Sequence, residues 1–210
     1  MNLEQILQAG VYRADLGAAD QHFSSIGITD STGLVHLKNA LIALANVADF
    51  EAFIRPSYRE QPAPSALIKP LKKNLEFAKY LRNKYVGHIH PALIAKAIEW
   101  QPTLRHIVRN LADPKVALLV NVWLLETAIN TYVDVAGAHR VFSSETDVMY
   151  PPDWKRLLDY LEATIRGCIC YLDKLVEVWS PQVVPAGDRQ VFDLELALKA
   201  GQTEFKFLAQ

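Results

Sequence analysis

Cysteine is scarce: Cys168 and Cys170 are the whole thiol inventory of the 210-residue chain. They lie two apart in a helical stretch, so they point to different sides and cannot bond to each other. Two unpaired thiols fit a reducing compartment, and the expected location is the cytoplasm. Long apolar runs are missing too. The longest candidate, Val116 to Leu125, is broken by Asn121 and followed by Glu126, so no membrane partner is expected. Met1-Asn2-Leu3-Glu4-Gln5 has neither a basic start nor a continuous apolar segment, and no signal peptide is expected. Neither sign of charge dominates. The formal net charge of -1 excludes a broadly basic nucleic-acid coat and an acidic tail, leaving only a local patch for any nucleic acid. Glycine patterns of the Walker and Rossmann kinds are missing, as are Gly-x-Ser-x-Gly, His-Glu-x-x-His and Cys-x-x-Cys. No cofactor and no metal are expected: His88-Ile89-His90 offers two ligand-like groups, and no cysteine–histidine cluster completes them.

What the chain does have is apolar content, 50% of its residues, which excludes a disordered polymer and is ample for a core without disulfides. The dominant period is helical, and the expected fold class is an all-α helical bundle. Leu3, Ile6, Leu7 and Val11 open a short amphipathic segment. Asp30-Ser31-Thr32 offers helix N-caps before an apolar face running from Leu34 to Phe53, and Arg55-Pro56 stops it. Residues 56–65 carry three prolines and read as a loop. Pro70 fits the first turn of a helix that runs to about Val86, with Gly87 after its end. Shorter helices are expected over Pro91–Trp100 and Thr103–Leu111. Asp113-Pro114 is a strong start signal. The helix it opens is apolar on nearly every face up to Phe142, the pattern of a buried central helix. A last long helix begins after Tyr150-Pro151-Pro152 and ends at Pro181. These elements place the bundle domain at residues 1–182 and a tail at 183–210. In the tail, alternation over 191–198, a glycine at 201, then Phe205 and Phe207 predict a β-hairpin packed on the bundle or on a partner.

The chemically informative segment is Lys69 to Trp100. On a helical wheel of about 100° per residue from Leu71, Leu75, Ala78 and Tyr85 fall within about 40° of the apolar axis. Arg82 falls in the middle of that stripe, about 20° from the axis, while Lys72, Lys73, Glu76, Lys79 and Lys84 lie off it. A guanidinium on an apolar face needs a partner. In the last turn of a helix it also suits the helix dipole and can snorkel outward. His88 follows immediately after Gly87. An arginine and a histidine at one helix end can treat a phosphate between them. The guanidinium binds oxygens in a fork and stabilises transition-state charge, and the imidazole moves a proton near neutral pH. Asn83 adds an amide able to orient a phosphate.

Arg82-Asn83-Lys84-Tyr85-Val86-Gly87-His88 resembles the signature of the HEPN superfamily, an arginine followed by a polar residue and, after five intervening residues, a histidine. The form is similar to that of small prokaryotic abortive-infection and toxin-like members. The resemblance implies a helical bundle of HEPN type with the motif at a helix terminus. It implies metal-independent RNA cleavage by attack of a 2′-hydroxyl on the adjacent phosphate. His88 would then be general acid or base, Arg82 the stabiliser of the transition state and Asn83 the positioning residue. It also implies a homodimer whose two motifs share one cleft, and an antitoxin protein as a further partner. For RNA binding, Lys79, Lys84, Tyr85 and His90 are the candidates, with Tyr80 and Tyr85 able to stack on bases. Lys69, Lys72 and Lys73, with Arg105 and Arg109, extend the local basic character, although a solvated helix face explains such residues more often than an RNA track does.

A second reading is a non-catalytic dimeric scaffold, or an RNA- or nucleotide-binding HEPN module. In the scaffold Arg82 is a structural ion-pair partner, with Asp134 or Glu126 as its expected carboxylate. A third, a small-molecule enzyme using His88 or His139, has only the presence of those histidines behind it.

Overall fold

The computed structural model describes residues 1–25, 30–183 and 194–202. The first helix, α1 (Leu3–Ser25), is opened by a reciprocal cap. The Gln5 N–H donates to Asn2 Oδ1 at 3.0 Å and the Asn2 N–H to Gln5 Oε1 at 3.1 Å, satisfying two donors that a helix start leaves open. Helix α2 (Ser31–Ile54) starts as expected on Asp30, whose carboxylate accepts from the Gly33 N–H at 2.9 Å. After α2 the proline-rich stretch expected as a loop is helical in short pieces. A 3-10 turn (Arg55–Arg59) precedes α3 (Ala63–Ile68), and a second 3-10 turn covers Lys69–Leu71. Pro56, Pro64 and Pro70 each sit in the first turn of their piece, where the missing N–H is not needed, and Pro62 precedes α3 as its N-cap. Then come α4 (Lys72–Leu81), a π-helical turn (Arg82–Val86), α5 (Pro91–Trp100) and α6 (Leu104–Ile107). They are followed by α7 (Pro114–Asn130) and α8 (Pro151–Val183).

The chain is all-α. Among the described residues β-type pairing is limited to one isolated bridge, Val133 with His139. The hairpin expected in the tail is corrected: residues of its first arm form the helix α9 (Leu194–Gly201). Leu-Glu-Leu-Ala-Leu-Lys-Ala is made of strong helix formers, and Leu194, Ala197 and Leu198 stand at helical as well as alternating spacing. The second arm, around Phe205 and Phe207, lies outside the described residues, as do 184–193 beyond the expected domain boundary. Pro181 does not end α8, which continues to Val183. Among the described residues no helix is long and apolar enough to cross a membrane.

Helix α2 is the sheathed element. Leu34, Leu37, Leu41, Leu44, Val47, Phe50 and Ile54 are all buried, with α1 on one side and α4 on the other. Helix α8 closes the bundle along α1 and α3. Leu157, Leu161, Ile165, Cys168, Leu172, Leu175 and Trp179 form its inward stripe at spacings of three and four. The same spacing turns Cys168 inward and leaves Cys170 exposed, so the two thiols are separate as expected. Arg13 with Asp173 at 2.9 Å and Arg166 with Asp20 at 2.8 Å tie the outer edges of α1 and α8.

Helix α7 departs from expectation twice. It ends at Asn130 rather than Phe142, and it is not central. Only its last turns are buried, through Leu124, Leu125, Ala128 and Ile129, while Val116 to Trp123 stay half-buried against α5. Apolar character on every face reported an incompletely covered helix, not an enclosed one. The segment 131–150 that follows is held by side chains instead of by secondary structure. Asn130 brackets Thr146, donating to its carbonyl at 2.9 Å and accepting its N–H at 2.8 Å. Glu126 accepts from the Val148 N–H at 3.0 Å. Arg156 donates to Ser144 Oγ, the Glu145 carbonyl and Thr146 Oγ1.

Phe77 of α4 joins this segment to the core. Its ring packs on Tyr132 at 5.0 Å, His139 at 5.7 Å, and Phe142 and Tyr160 at 6.0 Å between centroids. Phe77→Ala is expected to lower stability by about 3–5 kcal/mol, read from urea midpoints, because it removes a buried ring that four neighbours cannot close over.

Candidate functional site

The expected site residues sit on the π turn and the short link after it. Helix α4 changes pitch at Arg82, and the Gly87 N–H donates to the Arg82 carbonyl at 2.8 Å, five residues back. One extra residue per turn is rare in helices and is found mostly at functional positions. Gly87 ends the turn in ordinary right-handed geometry (φ -68°), not in the left-handed form usual after a helix. Its glycine identity answers a close approach: a Cβ there would lie 3.3 Å from the Arg82 carbonyl oxygen. The turn therefore brings the backbone just before His88 back against Arg82. His88 and Asn83 are exposed, and Lys84 is half-buried.

Arg82 faces α2, as its place on the apolar stripe required. Its partner is neither Asp134 nor Glu126. Asp134 accepts from the Ala136 and Ala138 N–H groups of its own turn, and Glu126 holds Val148. The partner is Asp49 of α2, which meets Arg82 Nη2 at 3.2 Å with one oxygen and Lys79 Nζ at 2.8 Å with the other. The Asp49 side chain is 53% exposed, so this bridge contributes about 0–1 kcal/mol and acts chiefly by orienting its two cations. Arg82 Nε is buried and has no acceptor. A buried donor left open marks either strain or a place for a ligand atom. No local pattern points to Asp49, because it lies 33 positions from Arg82 on another helix.

The RNA-binding candidates divide. Lys79 is engaged by Asp49. Tyr85 is buried, its hydroxyl has no partner, and Lys38 of α2 sits over its ring at 4.7 Å, so it is not placed to stack on a base. Burial pushes the Tyr85 phenol well above its ordinary value, and burial also lowers the Lys38 ammonium, which donates to Asn121 Oδ1 at 2.9 Å. Tyr80 is likewise spoken for, donating to Thr131 and packing on Tyr132. His90 caps α5: its Nδ1 accepts from the Ala92 N–H at 3.2 Å, and its ring centre is 6.4 Å from that of His88. Lys84 and His90 thus flank His88, while Tyr85 belongs to the core. Among the described residues no group of three or more His, Cys, Asp or Glu gathers as a metal site.

His139 is a structural histidine. Nε2 donates to the Ile129 carbonyl at 2.9 Å, and Nδ1 accepts from the Val141 and Phe142 N–H groups at 3.1 and 2.9 Å. Burial first, with Arg156 and Lys73 nearby, holds the ring below its ordinary value. A second proton would have to enter at Nδ1 and displace both accepted bonds. The folded state therefore favours neutral His139. Its contribution is present above an ordinary imidazole value of about 6.5 and is lost as pH falls through the lower folded value. Urea unfolding at pH 7 and pH 5 should show lower stability at pH 5, and the difference should shrink in His139→Gln. Comparison with family models, with curated proteins and with solved structures returns no match.

Proposed function

We propose that this chain is a metal-independent endoribonuclease of HEPN type that works as a homodimer, with Arg82, Asn83 and His88 as its catalytic residues. The observation that carries the reading is the π turn. It returns the chain from Gly87 to Arg82 at 2.8 Å, so that His88 emerges beside an arginine whose Nε is still open. The chemistry needs no other group than these and the RNA. The 2′-hydroxyl oxygen attacks the adjacent phosphorus, its proton passes to an imidazole, and the bond to the 5′-oxygen breaks as that oxygen takes up a proton. The products are a 2′,3′-cyclic phosphate and a 5′-hydroxyl. His88 carries a proton at one of these steps, Arg82 binds the phosphorane oxygens, and the exposed Asn83 amide positions the phosphate. His90 is the less free imidazole because it caps α5. The resemblance supplies the setting, a toxin or phage-defence protein in the cytoplasm with an antitoxin as its regulator.

One observation favours the scaffold reading. The Lys79–Asp49–Arg82 bridge gives Arg82 a structural partner at a helix–helix contact. On that reading Arg82→Ala and Asp49→Asn lower stability to a similar extent and non-additively, with no other effect. On the ribonuclease reading Arg82→Ala removes cleavage from a folded protein, and Asp49→Asn, which frees two cations, strengthens RNA binding.

The deciding experiment is incubation of purified protein with a panel of labelled RNAs, tRNAs included, in EDTA. Wild type is expected to cleave, to leave cyclic-phosphate ends, and to spare a substrate with a 2′-deoxy group at the scissile position. His88→Ala and Arg82→Ala should each lose about a hundredfold or more. Cleavage that persists in His88→Ala, or that requires added metal, overturns the proposal.

A further inference from the structure

A large cleft, with neither Arg82 nor His88 in its lining, lies between the end of α5, the C-terminal half of α7 and the segment 131–150. Its volume is about 950 Å³. That is the size of a small-molecule site, roughly 300–1,000 Å³. A stretch of this length without secondary structure of its own is uncommon inside a compact domain and is usually functional. Here it is also rigid. Asn130, Glu126, Arg156 and His139 hold its backbone groups, so the cleft is formed before any ligand arrives. A preformed site binds without the loss of order that a mobile loop would pay.

The lining defines the chemistry. Glu126 and Glu145 contribute two carboxylates, Trp100, Val133 and Phe142 contribute apolar wall, and no lysine or arginine is among the lining residues. His139, also at the wall, has both ring nitrogens engaged and carries no charge to offset the acids. Glu126 is half-buried with no cation acting on it. Burial and the nearby Asp147 carboxylate push it up, while the Val148 N–H and Gln101 hold it partly down. Glu145 is exposed, and its own backbone carbonyl is pinned by Arg156, which fixes the root of its side chain. The Trp100 ring already receives an ammonium, Lys96 Nζ at 5.7 Å from its centre. The guanidinium behind this wall, Arg156, is already paired with Asp153 at 3.2 Å, so the two lining carboxylates disfavour an anion, and a neutral guest would leave both without a counter-ion.

We propose that this cleft binds a small aliphatic diamine or polyamine, with its ammonium groups at Glu126 and Glu145 and its methylene chain against Trp100, Val133 and Phe142. The site uses none of the residues assigned to RNA cleavage, and it stands or falls separately from that reading.

The test is calorimetric titration of the full chain with spermidine at physiological salt, beside 1,8-octanediol as the uncharged control. Glu126→Gln and Glu145→Gln are titrated in parallel. The glutamine at 126 keeps an oxygen to accept the Val148 N–H, and the side chain at 145 is exposed, so both variants should melt like wild type. Saturable one-to-one binding of spermidine, weakened about tenfold or more in each variant and absent with the diol, is the expected result. Failure of spermidine to saturate, equal binding in wild type and both variants, or equal binding of the diol would each overturn the proposal.

Discussion

An ionised group drawn out of water must be answered by a partner, and α2 carries one such group, Glu51, with the half-buried Lys38 and the more exposed Asp49 along the same contact with α4 and the π turn. Glu51, buried, is met by Arg55 at 2.7 Å and by Lys72 at 3.7 Å. Asp49 is met by Lys79 and Arg82, and Lys38 lies on the Tyr85 ring and on Asn121. The three contacts occur in antiparallel order, since residues rise along α2 as they fall along the facing segment. Apolar side chains tolerate sliding between helices better than charges do: a slip would part Glu51 from Lys72, leaving it Arg55 alone, and would part Asp49 from Lys79 and Arg82. The ladder thus sets the register of the facing segment against α2. The register puts Arg82 opposite Asp49, and the π turn then sets where His88 leaves the helix. Geometry at the candidate site is inherited from a charge pattern that begins a full helix earlier.

Much of this was legible from one chain. Helix starts carried by a carboxylate cap, at Asp30 and at Asp113 before Pro114, are local chemistry and were read correctly. The inward stripe of α8 was equally visible, because its spacing is regular over many turns. Arg82 was legible as an anomaly: a charge on an apolar stripe has to meet something. What it meets was not, since Asp49 lies on another helix and no local pattern links them. The π turn was invisible for a related reason. Its sequence, Arg-Asn-Lys-Tyr-Val, suits an ordinary helix, so nothing local marks the change of pitch.

The errors share a cause as well. Reading α7 as central took apolar composition for coverage, and composition does not say which neighbours arrive. Reading the tail as a hairpin took a short alternating run as a strand, when leucine and alanine at those positions serve a helix equally. Nothing in the segment 131–150 announces a loop held by side chains, and its first part continues the apolar helical pattern of α7. Its anchors, Asn130, Glu126, His139 and Arg156, look like surface polar residues until the backbone they serve is seen. The same anchors explain why His139 titrates as a structural group and why the neighbouring cleft is open without a ligand.

The placement of the two thiols has a practical consequence. Cys170 lies on the outer face of α8, while Cys168, a few ångströms along the same helix, is fully enclosed with its thiol pushed up to about 12 by burial. A maleimide or nitrobenzoate reagent attacks thiolate, so Cys170 is the one handle for a fluorophore or spin label on the folded molecule. Cys168 reacts only when the contact between α8 and the rest of the bundle opens. The slow second equivalent of label then becomes a clock for that opening, read in native buffer on the unaltered chain.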